Sequence, residues 1–198
     1  PTVQTDINLT GNDLALLFKL AEIEPLATQL ASLNDRAFSF NAAITADMES
    51  DEMTISNMQA SMIGSQFTAA LSTRGLQSDS AAIIGEVSAS GPDLPMLLQV
   101  LGQLQGGADS SLSQLATQIQ NVRNRQFNFS ADIDADMGGG DFDISGLNAS
   151  LLGSDISGDI IASAMNSSAP TIRGNLNAAG PDLPSLMQLL GQSQGGAD

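Results

Sequence analysis

The sequence predicts a mainly β chain with short helices. The expected architecture is an antiparallel meander of repeats, about four strands and one short helix per unit of about 89 residues, forming an elongated curved sheet or groove. One observation is a repeat: Gly91-Pro-Asp-Leu-Pro-Met-Leu-Leu opens a stretch to Asp109 that returns 89 residues later as GPDLPSLMQLLGQSQGGAD, Gly180 to Asp198. The two copies align without a gap from Leu26 to Asp109. A second is that apolar residues between these stretches recur at every other position, the period of a strand with one buried face. A third is that the repeated stretches carry apolar residues at helical spacing between glycine breaks.

In chain order, Pro1 to Thr10 fits the last strand of a unit, with Val3, Thr5, Ile7 and Leu9 on one side. Gly11-Asn-Asp-Leu-Ala-Leu-Leu-Phe-Lys-Leu20 is a weaker copy of the helix. Next, Phe38, Phe40, Ala42, Ile44, Ala46 and Met48 alternate with polar neighbours, as do Phe127, Phe129, Ala131, Ile133, Ala135 and Met137. Residues 49–51 and Gly138-Gly139-Gly140 are the expected hairpin turns. Met53 and Ile55 lead to Met58, Ala60 and Met62 with a one-residue slip at Asn57, whose counterpart is Gly146, so a bulge is expected there. A turn near Gly64 or Gly153 precedes a third strand through Phe67, Ala69 and Leu71, or Ile156, Gly158 and Ile160. The fourth carries Ile83, Gly85, Val87 and Ala89, or Ile172, Gly174, Leu176 and Ala178.

Helices close each unit. Asp93 and Asp182 are expected to cap a first turn, because a carboxylate accepts its free N–H groups. Pro95 and Pro184 are tolerated there, where N–H groups have no helical partner. Leu94, Leu97, Leu98 and Leu101 form one stripe, and Leu183, Leu186, Met187 and Leu190 another. Gly102, Gly191 and the Gly-Gly pairs are expected to end the helices. The organisation is residues 1–25 as the end of a preceding repeat, 26–109 as one repeat and 110–198 as a second.

Composition narrows the chemistry. The formal charge is −16, Lys19 is the only lysine, and there is no Cys, His, Trp or Tyr. Such a surface repels nucleic acid and anionic membranes. Thiol chemistry is excluded, and no nucleophile–base pair is recognisable. The glycine runs lack the lysine of a phosphate-binding loop. No enzyme is expected. No apolar run approaches the ~20 residues of a membrane span. The chain starts at Pro1 and reads as a piece of a longer polypeptide, with any membrane anchor outside it.

What covers the apolar face decides function. Helices packed on it would give an ordinary two-layer scaffold. A ten-residue helix is ~15 Å long and spans only part of four strands ~4.8 Å apart, so an apolar groove is the sharper expectation. In the first repeat its lining is Phe38, Phe40, Ile44, Met48, Met53, Ile55, Met58, Phe67 and Val87. In the second it is Phe127, Phe129, Ile133, Met137, Phe142, Ile144, Leu147, Ile156 and Leu176. Methionine re-packs around variable apolar shapes, although core filling is its commoner role.

The Phe-x-Phe strand, the bulged second strand, the Gly-Ser turn at Gly64 and Gly153, the strand ending in Gly-x-Leu-x-Ala and the Gly-Pro-Asp-Leu-Pro helix together resemble the AsmA family. These are bacterial envelope proteins of the same broad class as TamB. The resemblance implies a periplasmic protein anchored in the inner membrane, whose neighbouring repeats build a long curled sheet with an apolar trough. It implies transfer of phospholipid, held by its acyl chains, and maintenance of the outer membrane. The alternative is a structural or adhesin-like β-repeat module that binds protein or Ca²⁺. Asp132, Asp134, Asp136, Asp141 and Asp143 are the candidate Ca²⁺ ligands, but Met137 stands where a calcium loop needs glycine. A solvated acidic strand face is the competing reading, and no other cofactor is expected. Arg123 and Arg125 precede a strand, where a plain surface role is the first expectation and contact with Asp residues or a lipid phosphate the alternative.

Overall fold

The computed structural model describes residues 1–20, 22, 24–31, 33, 35–75, 78, 80–105 and 110–181. In chain order the elements are β1 (Thr2–Gly11), α1 (Leu14–Leu20), α2 (Glu24–Ala31), β2 (Phe38–Asp47), β3 (Glu52–Met62), β4 (Ser65–Arg74) and β5 (Ala82–Gly91). They continue with α3 (Leu94–Gln105), α4 (Ser111–Ile119), β6 (Phe127–Asp136), β7 (Asp141–Leu151), β8 (Ser154–Ser163) and β9 (Thr171–Ala179). The nine strands form one open sheet in sequence order, every neighbouring pair antiparallel. The chain is therefore mainly β with short helices, as its alternation predicts. Among the described residues no helix is long and apolar enough to cross a membrane. The helix expected from Asp182, including Pro184, Leu183, Leu186, Met187, Leu190 and Gly191, lies outside the described residues, as does the Gly106-Gly107 pair.

The turns follow local chemistry. The register shifts between Ile55 and Met58, and between Ile144 and Leu147. Asn57 and Gly146 occupy these bulges with φ of 52° and 58°, the left-handed region that Asn and Gly tolerate best. Because each bulge inserts one residue, Met58 and Leu147 return to the apolar side. The β3–β4 and β7–β8 connections are two residues long, and both residues have positive φ: Ile63 and Gly64, Leu152 and Gly153. That geometry matches the twist of the strands. It is unfavourable for a branched side chain such as Ile63. Ile63 is held there by packing against the helix core.

The helices come in pairs, α1 with α2 and α3 with α4. The sequence reading places one helix in each unit; the structure adds α2 and α4. Leu112, Leu115, Ala116 and Ile119 have the spacing of a helical stripe, and Ser110 caps α4 by accepting the Ser113 N–H at 3.2 Å. Gly102 does not end α3 but lies within it. A Cβ there would stand 2.3 Å from Ser113 Oγ, so glycine lets the two helices touch. The buried side of α3 is Leu97 and Val100, while Leu101 of the expected stripe is exposed.

Leu14, Ala15, Leu30 and Val100 form a core to which α1, α2 and α3 all contribute, flanked by Phe38, Met62 and Ile63 at the strand ends. Two ion pairs tie the helices to the sheet. Asp13 meets Arg36 at 3.3 Å, and Asp93 meets Arg125 at 2.9 Å. The same carboxylates cap their helices, accepting the Leu16 N–H at 3.1 Å and the Met96 N–H at 3.0 Å. Each helix start also donates to the segment leading into a strand, Leu14 N–H to the Arg36 carbonyl and Leu94 N–H to the Arg125 carbonyl, both at 2.8 Å. Two outcomes are expected in urea unfolding followed by circular dichroism. Leu30→Ala, at a site 1% exposed, should lower unfolding free energy by about 2–5 kcal/mol. Asp93→Ala should lower it by about 0.5–2 kcal/mol, mainly through the lost cap. An unchanged midpoint for either variant would contradict the described packing.

Candidate functional site

The pairing register puts the expected lining residues that lie within strands on one face of the sheet. Successive rungs run across it. One is Leu9, Phe40, Ala60, Phe67, Ala89, Phe129, Ala149, Ile156 and Ala178, a large residue beside alanine at almost every step. Another contains Thr5, Ile44, Ile55, Leu71, Gly85, Ile133, Ile144, Ile160 and Gly174. Ala149 is 3% exposed, and its cross-strand neighbours are Phe129 and Ile156. Large side chains thus lean over small ones, and the face shields itself in part.

That shielding is incomplete. Phe38, Phe40, Ile44, Met53, Ile55, Met58, Phe67, Val87, Phe129, Ile133, Phe142, Ile144, Leu147 and Ile156 are all only partly buried. Among the expected lining residues Phe127 alone is buried, and Leu176 is exposed. Met48 and Met137 stand just past the ends of β2 and β6, exposed in the hairpin loops rather than in strands. Among the described residues α1, α2 and α3 pack on one another and against Phe38, Met62 and Ile63 at the strand ends.

The opposite face is hydrophilic. Ser39 and Ser61 are paired across strands and hydrogen bond at 2.8 Å, as do Thr68 and Ser88 at 2.7 Å. A hollow of about 380 Å³ opens around the bulges, lined by Asn57, Thr68, Glu86, Ser88, Asp132 and Gly146 among others. Its polar walls do not suit an acyl chain.

Two of the five candidate calcium ligands have hydrogen-bond partners within the sheet's hairpins. Asp136 accepts the N–H groups of Gly138 and Gly139, closing its own turn, and Asp141 accepts the Ala164 N–H. Among the described residues, no group of three or more acidic side chains is placed to hold a metal ion. Arg125 meets Asp93, so it has an Asp partner rather than a plain surface role. Like charges face each other instead: Asp134 opposite Asp143, Asp136 opposite Asp141, Glu86 opposite Asp132 and Asp47 opposite Glu52. Direct cross-strand repulsion costs on the order of 0.2–1 kcal/mol per pair. Asp134→Asn should accordingly raise stability by about that amount in denaturant titration, and added NaCl should raise the melting temperature of the unaltered chain. A stability loss in both experiments would argue against unrelieved repulsion. Comparison with known proteins finds no matching family model, no matching curated protein and no matching solved structure.

Proposed function

We propose that this chain is a non-enzymatic segment of a periplasmic, inner-membrane-anchored protein, whose apolar sheet face holds phospholipid acyl chains in transit between inner and outer membranes. This is the role implied by the resemblance to the AsmA family. The observation that supports it is the partial exposure of the large side chains on the apolar face, with the helix core of the described residues packed at the strand ends. Extended apolar exposure of this kind marks an interaction surface.

The energetics favour such a surface. Two acyl chains exposed to water cost ~0.8 kcal/mol per CH₂, on the order of 20 kcal/mol in all. A continuous apolar face lowers that barrier without bond chemistry or nucleotide. The polar face meanwhile presents hydroxyls and carboxylates to water, and the net charge of −16 discourages self-association.

The test is organic extraction of the purified chain followed by mass spectrometry, with titration of a fluorescent fatty acid. Phospholipid should be recovered in near-stoichiometric amount. Val87→Glu, in the middle of the apolar face, should weaken fatty-acid binding at least about tenfold, or 1.4 kcal/mol. Ser88→Glu, on the polar face of the same strand, should leave it unchanged, with circular dichroism confirming that both variants fold. Absence of lipid together with absence of fatty-acid binding would overturn the proposal. A calcium-dependent rise in melting temperature alongside that result would favour the structural-module alternative.

A further inference from the structure

The polar face divides into a neutral band beside the helices and an acidic band toward the hairpins. One rung of the neutral band takes a residue from each of the nine strands, from Asn8 to Asn177 through Gln59, Thr68, Ser88 and Ser130, and every one is Ser, Thr, Asn or Gln. The next rung toward the helices runs from Thr10 through Ser39, Ser61, Ser90, Asn128 and Ser150, and its one charge is Asp155. On the hairpin side the acidic pairs begin, Glu86 with Asp132 and then Asp134 with Asp143. A chain of net charge −16 thus keeps one strip across its sheet almost free of charge.

Three hollows open along this strip. Besides the one of about 380 Å³ at the bulges, one of about 580 Å³ has Ser90, Asn128 and Ser150 in its walls, and one of about 430 Å³ has Thr10, Ser39 and Ser61. The last two are one feature repeated, since Ser39 and Ser61 correspond to Asn128 and Ser150 in the aligned copies. No Lys or Arg lines any of the three.

These features discriminate among ligands. Carboxylates on the flank, with no cation beside them in the hollows, repel a polyanion. The two rungs hold no aromatic or large aliphatic side chain, the kind of anchor on which protein partners depend. Hydroxyl and amide groups both donate and accept hydrogen bonds, so they match an uncharged ligand that does the same. The pairs already formed, Ser39 with Ser61 and Thr68 with Ser88, leave acceptor sites free, because each hydroxyl oxygen has two lone pairs. The rungs step ~4.8 Å from strand to strand, the scale of a sugar ring.

We propose that the neutral band is a binding groove for a linear, uncharged glycan lying across the strands, with sugar rings in the hollows and sugar hydroxyls paired to the Ser, Thr, Asn and Gln side chains. Glu86 and Asp132 accept from hydroxyls at its acidic margin. This inference is independent of lipid binding, because it concerns the opposite face of the sheet.

The test titrates the isotope-labelled whole chain by NMR with neutral linear hexasaccharides: cellohexaose, mannohexaose, maltohexaose and N-acetylchitohexaose. At least one should bind with a Kd of about 1 mM or tighter, moving the side-chain amide signals of Gln59, Asn128 and Asn148. Hexagalacturonate, its acidic counterpart, should bind at least about tenfold more weakly. Thr68→Val combined with Ser88→Ala removes one hydroxyl pair and should weaken the neutral glycan about tenfold. Thr54→Val, on the same face but in the acidic band, should leave binding unchanged, with circular dichroism confirming that both variants fold. Fatty-acid binding should be the same in the double variant as in the unaltered chain. Absence of binding by every neutral hexasaccharide would overturn the proposal. So would tighter binding of hexagalacturonate or of cationic chitosan hexamer, or an equal loss in Thr54→Val.

Discussion

The strict alternation of apolar and polar side chains across one nine-stranded sheet is the constraint on which the rest of this structure depends. Away from the helix core, an apolar side chain gains shielding from its neighbours on the same face. The rungs meet that need by setting Phe or Ile beside Ala, Phe129 beside Ala149 for example. A slip of one residue in any strand would turn its apolar set to the polar side. The bulges at Asn57 and Gly146 therefore matter beyond local geometry: each absorbs one extra residue and returns Met58 or Leu147 to the shared face.

The two ends of the strands differ in kind. At one end helix pairs form a small core, and the Asp13–Arg36 and Asp93–Arg125 pairs join cap, helix and strand entry in one arrangement used twice. That core also holds Ile63 in a backbone conformation its branched side chain disfavours. At the other end the β2–β3 and β6–β7 hairpins are rich in Asp and Glu, and Met48 and Met137 are exposed there. The helical end carries a buried core, while large side chains along the apolar face stay partly exposed.

Much of this was legible in the residues. Strand positions, the hairpin turns, both bulges and the capping roles of Asp13's counterpart Asp93 follow from local rules: period two, turn chemistry, and a carboxylate before a helical stripe. The second helix of each pair is harder to read. Its stripe at Leu112, Leu115, Ala116 and Ile119 is short and sits in a connection between stronger signals. Gly102 misleads for a different reason. A glycine near a helix end reads as a stop, and only the proximity of Ser110 and Ser113 reveals that it serves helix contact. For the candidate site, the sequence reading identifies the face but not its degree of exposure.

The sequence by itself determined which side chains share a face, because the pleat alternates from one residue to the next and needs no distant partner. It also determined that the face is apolar and its reverse is acidic and hydroxyl-rich. Only the tertiary structure decided that the described helices gather at the strand ends while large side chains on that face stay partly exposed. Helix placement depends on contacts between residues far apart in the chain, such as Leu14 and Val100 meeting Phe38 and Met62, and no local pattern encodes where those contacts fall.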